Sequence, residues 1–204
     1  MNRPVPAKHK IQPPGKETII LEAAEQVFAV KGYHGTTMQA IAQQAGVATG
    51  TIYLYFSNKQ SVFLALINNL HDELIASIVK DRIGAGDTLT KLKISIQSAL
   101  QVFSRHRSLA KIVLIQAAGT NPAFDYRLAE IHAELVALVK HDLDELVADG
   151  TLPDQDTAIT SCAWVGTFNE VIANWLWQEQ PFALESALPA LVRYNLRGIG
   201  AREE

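Results

Sequence analysis

Apolar side chains recur along this chain at i, i+3 and i+4, and no segment alternates with the two-residue period of a strand, so the pattern predicts helices throughout. Residues 16–31 place Ile20, Ala23, Ala24, Val27 and Phe28 on one face, with Gly32 as the stop. Residues 57–82 read as one long helix with Phe63, Leu66, Ile67, Leu70, Leu74 and Ile78 inward, broken at 83–87 by two glycines. Further helices are predicted over 88–105, 108–118, 154–177 and 185–197. Between them, Asn121-Pro122 starts another that runs to a stop near Gly150, with asparagine as cap and proline at the first position. The fold class expected is all-α, with about nine helices.

Two short elements sit between the first and the long helix. Thr37 can cap a helix whose apolar face is Ile41 and Ala42, and Gly46 follows Ala45 where a left-handed residue is wanted. Val47 is expected as a buried plug, and Thr49 as the cap of a second helix with Ile52 and Phe56 facing inward. Two short helices around a glycine turn make a helix-turn-helix, whose second helix enters the DNA major groove; a plain helical hairpin has the same outline. The outward residues favour DNA, because Thr49, Gly50, Thr51, Tyr53 and Tyr55 are small or hydroxylated and none is acidic. Thr36, Thr37 and Gln39 are expected to join them at the nucleic acid. In the next helix, Ser57 and Gln60 have capping-box spacing, and Lys59 is a cation in a first turn, where the helix dipole calls for an anion such as a phosphate.

This stretch resembles the DNA-binding domain of the tetracycline-repressor (TetR-type) family of bacterial transcription regulators. The resemblance lies in Lys31-Gly32-Tyr33, Thr36-Thr37, Ile41-Ala42, Ala45-Gly46-Val47, Gly50-Thr51-Ile52-Tyr53, Tyr55-Phe56 and Lys59. It implies a DNA-binding unit over 16–61 and a ligand-binding and dimerisation domain over 62–204, whose last two helices pair with a second subunit. Residues 1–15, with four prolines and several cations but no apolar period, read as a basic arm, either touching DNA or simply solvated. The partners implied are double-stranded palindromic operator DNA, a hydrophobic small-molecule effector and a second copy of the chain.

Composition changes the picture in three places. The net charge of −3 is divided unevenly: residues 1–60 hold six Lys and Arg against three Glu, and the acidic excess lies in the remainder, so the basic end is the DNA end. One cysteine, Cys162, allows no internal disulfide and fits a reducing cytoplasm. With no apolar run read as a transmembrane segment and no signal peptide, a cytoplasmic location without membrane contact is expected. No catalytic constellation, phosphate loop or metal pair stands out, and His141 with Glu145 is an ordinary i, i+4 pair, so neither an enzyme nor a cofactor or metal site is expected.

For the ligand site, Phe103, Ile112, Gln116, Phe124, Leu128, Leu135, Trp164 and Phe168 are the candidate wall, and Arg127 and Asn169 the polar groups to orient a ligand; plain core is the alternative for each. For the dimer, Ala158, Cys162, Val165, Gly166 and Ala173 form a small-residue stripe, joined by Trp177, Leu188, Val192 and Leu196. The runs 107–128 and 166–171 resemble members of the family that control fatty-acid breakdown. That likeness implies a long-chain acyl-CoA as effector, against an aromatic or cationic drug-like molecule, or a dimer with no inducer pocket at all.

Overall fold

The computed structural model describes residues 15–116 and 119–201, without the side chain of Gln116. The described residues form nine α-helices: α1 (Lys16–Gly35), α2 (Met38–Ala45), α3 (Thr49–Tyr53), α4 (Lys59–Arg82), α5 (Thr88–Arg105), α6 (Arg107–Lys111), α7 (Pro122–Ala148), α8 (Thr157–Trp177) and α9 (Leu188–Gly198). The expected arm lies outside this range apart from Gly15.

In α1, a kink at Gly32 (φ 67°) ends the regular helix where expected, and one more turn carries Tyr33 back toward the core. The Thr36 hydroxyl donates to the Gly32 carbonyl at 2.7 Å and closes that turn. Thr37 caps α2 by accepting from the Ala40 amide, and Gly46 ends it at φ 65°, as its place in the sequence requires. Val47 is only half buried, though its amide donates to the Ala42 carbonyl. Thr49 is not the cap of α3: that position is Ala48, which makes no side-chain bond. Ile52 and Phe56 are both buried, so α3 is held by its apolar side alone.

The box that opens α4 is shifted by one residue from expectation. Asn58 accepts from the Ser61 amide at 2.8 Å, and Ser61 Oγ accepts from the Asn58 amide at 3.3 Å. α4 is long and apolar enough to span a membrane, contrary to the sequence reading. Its apolar residues Val62, Phe63, Leu66, Ile67, Leu70, Leu74 and Ile78 are instead buried in the core, as expected of the central helix of a helical protein.

The near end of α4 packs on α1, and the rest packs on α5 and α7. The helix predicted over 108–118 is a short α6 continued by a π-helical turn, Ile112–Gln116, which packs against α1; residues 117–118 lie outside the described range. α7 lies along α8, and α9, entered through a 3-10 turn at Leu184–Ala187, rests on α5 and α8. One apolar core runs from Ile20 to Ile199.

Candidate nucleic-acid interface and effector cavity

Gly50, Tyr53, Leu54 and Tyr55 stand exposed around α3, and Thr49 and Thr51 are half-buried on its flanks. Thr37 and Gln39 are exposed at the start of α2. Each of these keeps surface open to solvent on or beside the two short helices. Thr36 does not belong with them: it is buried, and its hydroxyl is engaged with Gly32. Leu54, 83% exposed, was missed because an outward leucine in a helix that short carries no sequence signal.

Lys59 departs from its expected role. Its ammonium donates to the Tyr33 carbonyl at 2.7 Å and the His34 carbonyl at 3.3 Å, and sits 4.5 Å from the centroid of the Tyr33 ring. The anion the sequence called for is therefore, in this structure, the carbonyl end of α1. Burial draws the Lys59 pKa down. Tyr33 is the centre of the junction. Its ring packs edge-on against Phe63 (5.3 Å) and Phe124 (5.0 Å), and Asn121, the cap of α7, hydrogen-bonds its hydroxyl. Burial raises the phenol's pKa, with the Asn121 bond opposing.

Phe124 thus belongs to the joint between the head and α7 and not to a ligand wall, because the Gly32 kink delivers Tyr33 onto it. Of the remaining wall candidates, Trp164 and Phe168 line an apolar cavity of about 50 Å³, with Leu135. Its other sides are Leu74 and Ile78 of α4, Ser95, Ile96 and Ala99 of α5, Leu138 and Val139 of α7, and Val165 of α8; Leu74 and Ile78 read from the sequence as ordinary core and Val165 as part of the dimer stripe. Phe103 is buried with its ring 6.0 Å from that of Phe168, Ile112 is buried, and Leu128 packs against the core from a half-buried position. The side chain of Gln116 lies outside the described residues.

Neither polar candidate points into this cavity. Asn169 is exposed and reaches His132 at 3.4 Å. Arg127 donates to Asn68 at 2.8 Å and to Glu130 and Glu134 at 3.4 and 3.5 Å, and approaches His71 Nδ1 at 3.3 Å. His71 Nε2 lies 2.9 Å from a Glu134 oxygen, outside hydrogen-bond geometry. Arg127 therefore ties α7 to α4, since two carboxylates already answer its charge. Farther along, Arg82 Nη2 bonds both oxygens of buried Asp142 at 2.6 Å. Burial raises the Asp142 pKa, with the Arg82 bond and charge opposing.

On the far face, Ala158, Cys162, Gly166 and Trp177 of α8 are exposed and Ala173 is half-buried, whereas Val165 turns inward beside Trp164 as part of the core. Leu188, Val192 and Leu196 also lean inward, half-buried. The outer face of α9 is Ala190, Arg193 and Tyr194 instead, and Ile159 and Tyr194 are each 67% exposed. Among the described residues, no group of three or more His, Cys, Asp or Glu is placed to hold a metal.

A three-helix head with an outward reading helix, joined by a long shared helix to a larger helical body, defines a helix-turn-helix transcription regulator. Residues 20–66 match the family described as "Bacterial regulatory proteins, tetR family". The chain is 30% identical over 164 residues to a probable HTH-type transcriptional regulator, ArpR of Pseudomonas putida, covering 77% of this chain and 78% of that one. Its fold superimposes on the fatty acid degradation regulator FadR of Bacillus halodurans with a TM-score of 0.84 and 28% identity, covering 94% of this chain and all of that one. A second solved relative is FadR of Bacillus subtilis in complex with stearoyl-CoA (TM-score 0.81, 26% identity, covering 89% and 98%). The chain belongs to the tetR family of bacterial regulatory proteins: it is a DNA-binding transcriptional regulator and not an enzyme.

Proposed function

We propose that this regulator is a homodimeric repressor that holds a palindromic operator until a long-chain acyl-CoA enters its body, residues 62–204, and releases the head, residues 16–61. The observation that carries this reading is the apolar cavity walled by Leu74 and Ile78 of α4, because α4 also reaches the head through Phe63 and Lys59. A chain inserted there acts directly on the helix that bears the reading unit. The stearoyl-CoA bound to the Bacillus subtilis relative supports the choice of ligand.

At about 50 Å³ the cavity holds far less than the several hundred cubic ångströms of a typical ligand site. Entry of a chain must part α7 and α8 from α4 and α5, and that parting is the switch. An anionic head group is not placed at Arg127, whose charge Glu130 and Glu134 already meet. The small cavity equally suits a second reading, a dimeric regulator with no inducer, while the aromatic edges of Trp164 and Phe168 suit a drug-like effector. The second copy is expected on the exposed face of Ile159, Cys162, Gly166 and Tyr194. Thr37, Gln39, Thr49, Gly50, Thr51, Tyr53 and Tyr55 are the DNA-facing residues of this reading.

Calorimetric titration tests the ligand. Palmitoyl-CoA should bind one per protomer and octanoyl-CoA more weakly, with CoA alone inert. Binding of an aromatic cation in place of any acyl-CoA establishes the drug-like reading, and no binding by either class leaves the regulator without an inducer.

A further inference from the structure

The reading helix is unusual in what it lacks. From Ala48 to Ser57 there is no Arg, Lys, Asn, Gln, Asp or Glu. Those are the side chains that form the base-specific hydrogen bonds: Arg and Lys to guanine, Asn and Gln to adenine, the acids to cytosine. What remains is hydroxyls, two tyrosines and one leucine. Hydroxyls bond either to bases or to phosphates with little discrimination. The one feature of the major groove that an aliphatic side chain can read is the 5-methyl group of thymine.

Leu54 is placed for that. Its backbone continues the helix (φ −74°, ψ −23°), and it lies two residues from both Ile52 and Phe56, which are buried. At about 100° per residue it therefore points away from the core by roughly the full width of the helix. Four residues earlier on the same face is Gly50, exposed and without a side chain to stand between Leu54 and a groove. Tyr53 and Tyr55 flank it at 49% and 44% exposure, so Leu54, at 83%, is the most fully exposed side chain of the three.

We propose that Leu54 is a specificity-determining residue that reads thymine methyl groups, so that the base pairs beneath α3 in each operator half-site are A·T pairs. This rests on α3 being the helix that enters the major groove. Recognition is then by apolar contact, with the hydroxyls and tyrosines of α3 positioning the backbone.

The test begins with duplexes that the full-length protein selects from a random library. Each thymine of a selected half-site is then replaced in turn by uracil, which removes the methyl and keeps the pairing. One or two positions should lose about four-fold in affinity, the equivalent of one buried methyl group. Leu54→Ala should bind thymine and uracil versions of those positions equally, and should melt with the parent protein, because nothing in the fold rests on that side chain. Undiminished thymine preference in Leu54→Ala overturns the assignment, as do selected half-sites in which every uracil replacement is silent. A protein that selects no duplex overturns the placing of α3 in the groove, a different result from salt-sensitive binding that ignores the methyls.

Discussion

In the head, Ile20, Phe28, Ile41, Ile52 and Phe56 are buried in the apolar core, and the buried polar side chain there, Thr36, bonds four residues back to Gly32. The body has a different interior. Thr88, Ser98, Asp142, Ser161 and Asn195 are buried among its helices, and several bond across them: Ser98 to Asp81 at 2.7 Å, Asp142 to Arg82, and Asn195 to Thr167 at 2.9 Å. Arg107 reaches the carbonyl of Gln178 at 2.6 Å and so caps the end of α8 from α6. Apolar packing alone fastens the head, whereas in the body buried polar bonds are added to the packing and hold particular helices against one another.

The largest expected effect breaks the head. Phe28→Ala removes a ring stacked on Tyr33 and edge-on to Phe63, and should cost about 3–5 kcal/mol in urea unfolding. A loss below about 1 kcal/mol would show that the head's core can collapse around the gap.

Next comes the body's polar fastening. Arg82→Ala leaves Asp142 buried and unpaired, and should cost about 3 kcal/mol near neutral pH. Replacing the pair together, Arg82→Met with Asp142→Leu, should restore most of it. The pH dependence has a definite sign. Burial raises the Asp142 pKa in the folded state, so the folded protein holds that proton more tightly than the unfolded chain does. Stability from this group is present below the ordinary aspartate pKa and falls as pH rises through the raised one. Arg82→Ala removes the opposing pull, so its defect should shrink on acidification toward pH 5; a defect that grows contradicts the assignment.

Lys59→Ala sharpens the boundary between the two regions. With two bonds to the end of α1, Lys59 should contribute about 1.5 kcal/mol to stability. The salt slope of DNA binding should change little. A slope reduced by about one with stability unaltered would assign the lysine to a phosphate.

The smallest stability effect belongs to the reading surface. Tyr53→Phe should leave unfolding within about 0.5 kcal/mol of the parent. It should weaken DNA several-fold, as loss of one hydrogen bond of about 1 kcal/mol does. Lower stability with intact affinity would place the phenol in the fold and not at the DNA.

How far the chain could be read in advance follows the same division. The head's elements are determined locally: Gly46 sits where a left-handed residue is needed, and Thr37 three residues before the amide it caps. Periodicity likewise placed α5 at its observed residues, and the Asn121-Pro122 cap placed the start of α7. The misread caps of α3 and α4 and the Thr36 bond are local, but the misread site residues depended on contacts between segments distant in sequence. Lys59 looks like a phosphate ligand until the Gly32 kink brings two carbonyls to it, and Phe124 looks like pocket lining until the same kink brings Tyr33. Arg127 looks free until α4 supplies Asn68 and His71. Leu74 and Ile96 line the cavity but have the same pattern as any core residue, because a void is a property of packing and leaves no mark on periodicity.

The central claim is that a chain entering the body changes what the head can hold. If effector and operator bias one two-state arrangement, each weakens the other by the same factor. The direct measurement is operator affinity of the full-length protein across a titration of palmitoyl-CoA, paired with palmitoyl-CoA affinity measured with and without operator. The predicted result is a loss of at least about tenfold in each, equal within error and equivalent to about 1.4 kcal/mol of coupling, with free palmitate and CoA inert. An operator complex that survives saturating palmitoyl-CoA contradicts the claim.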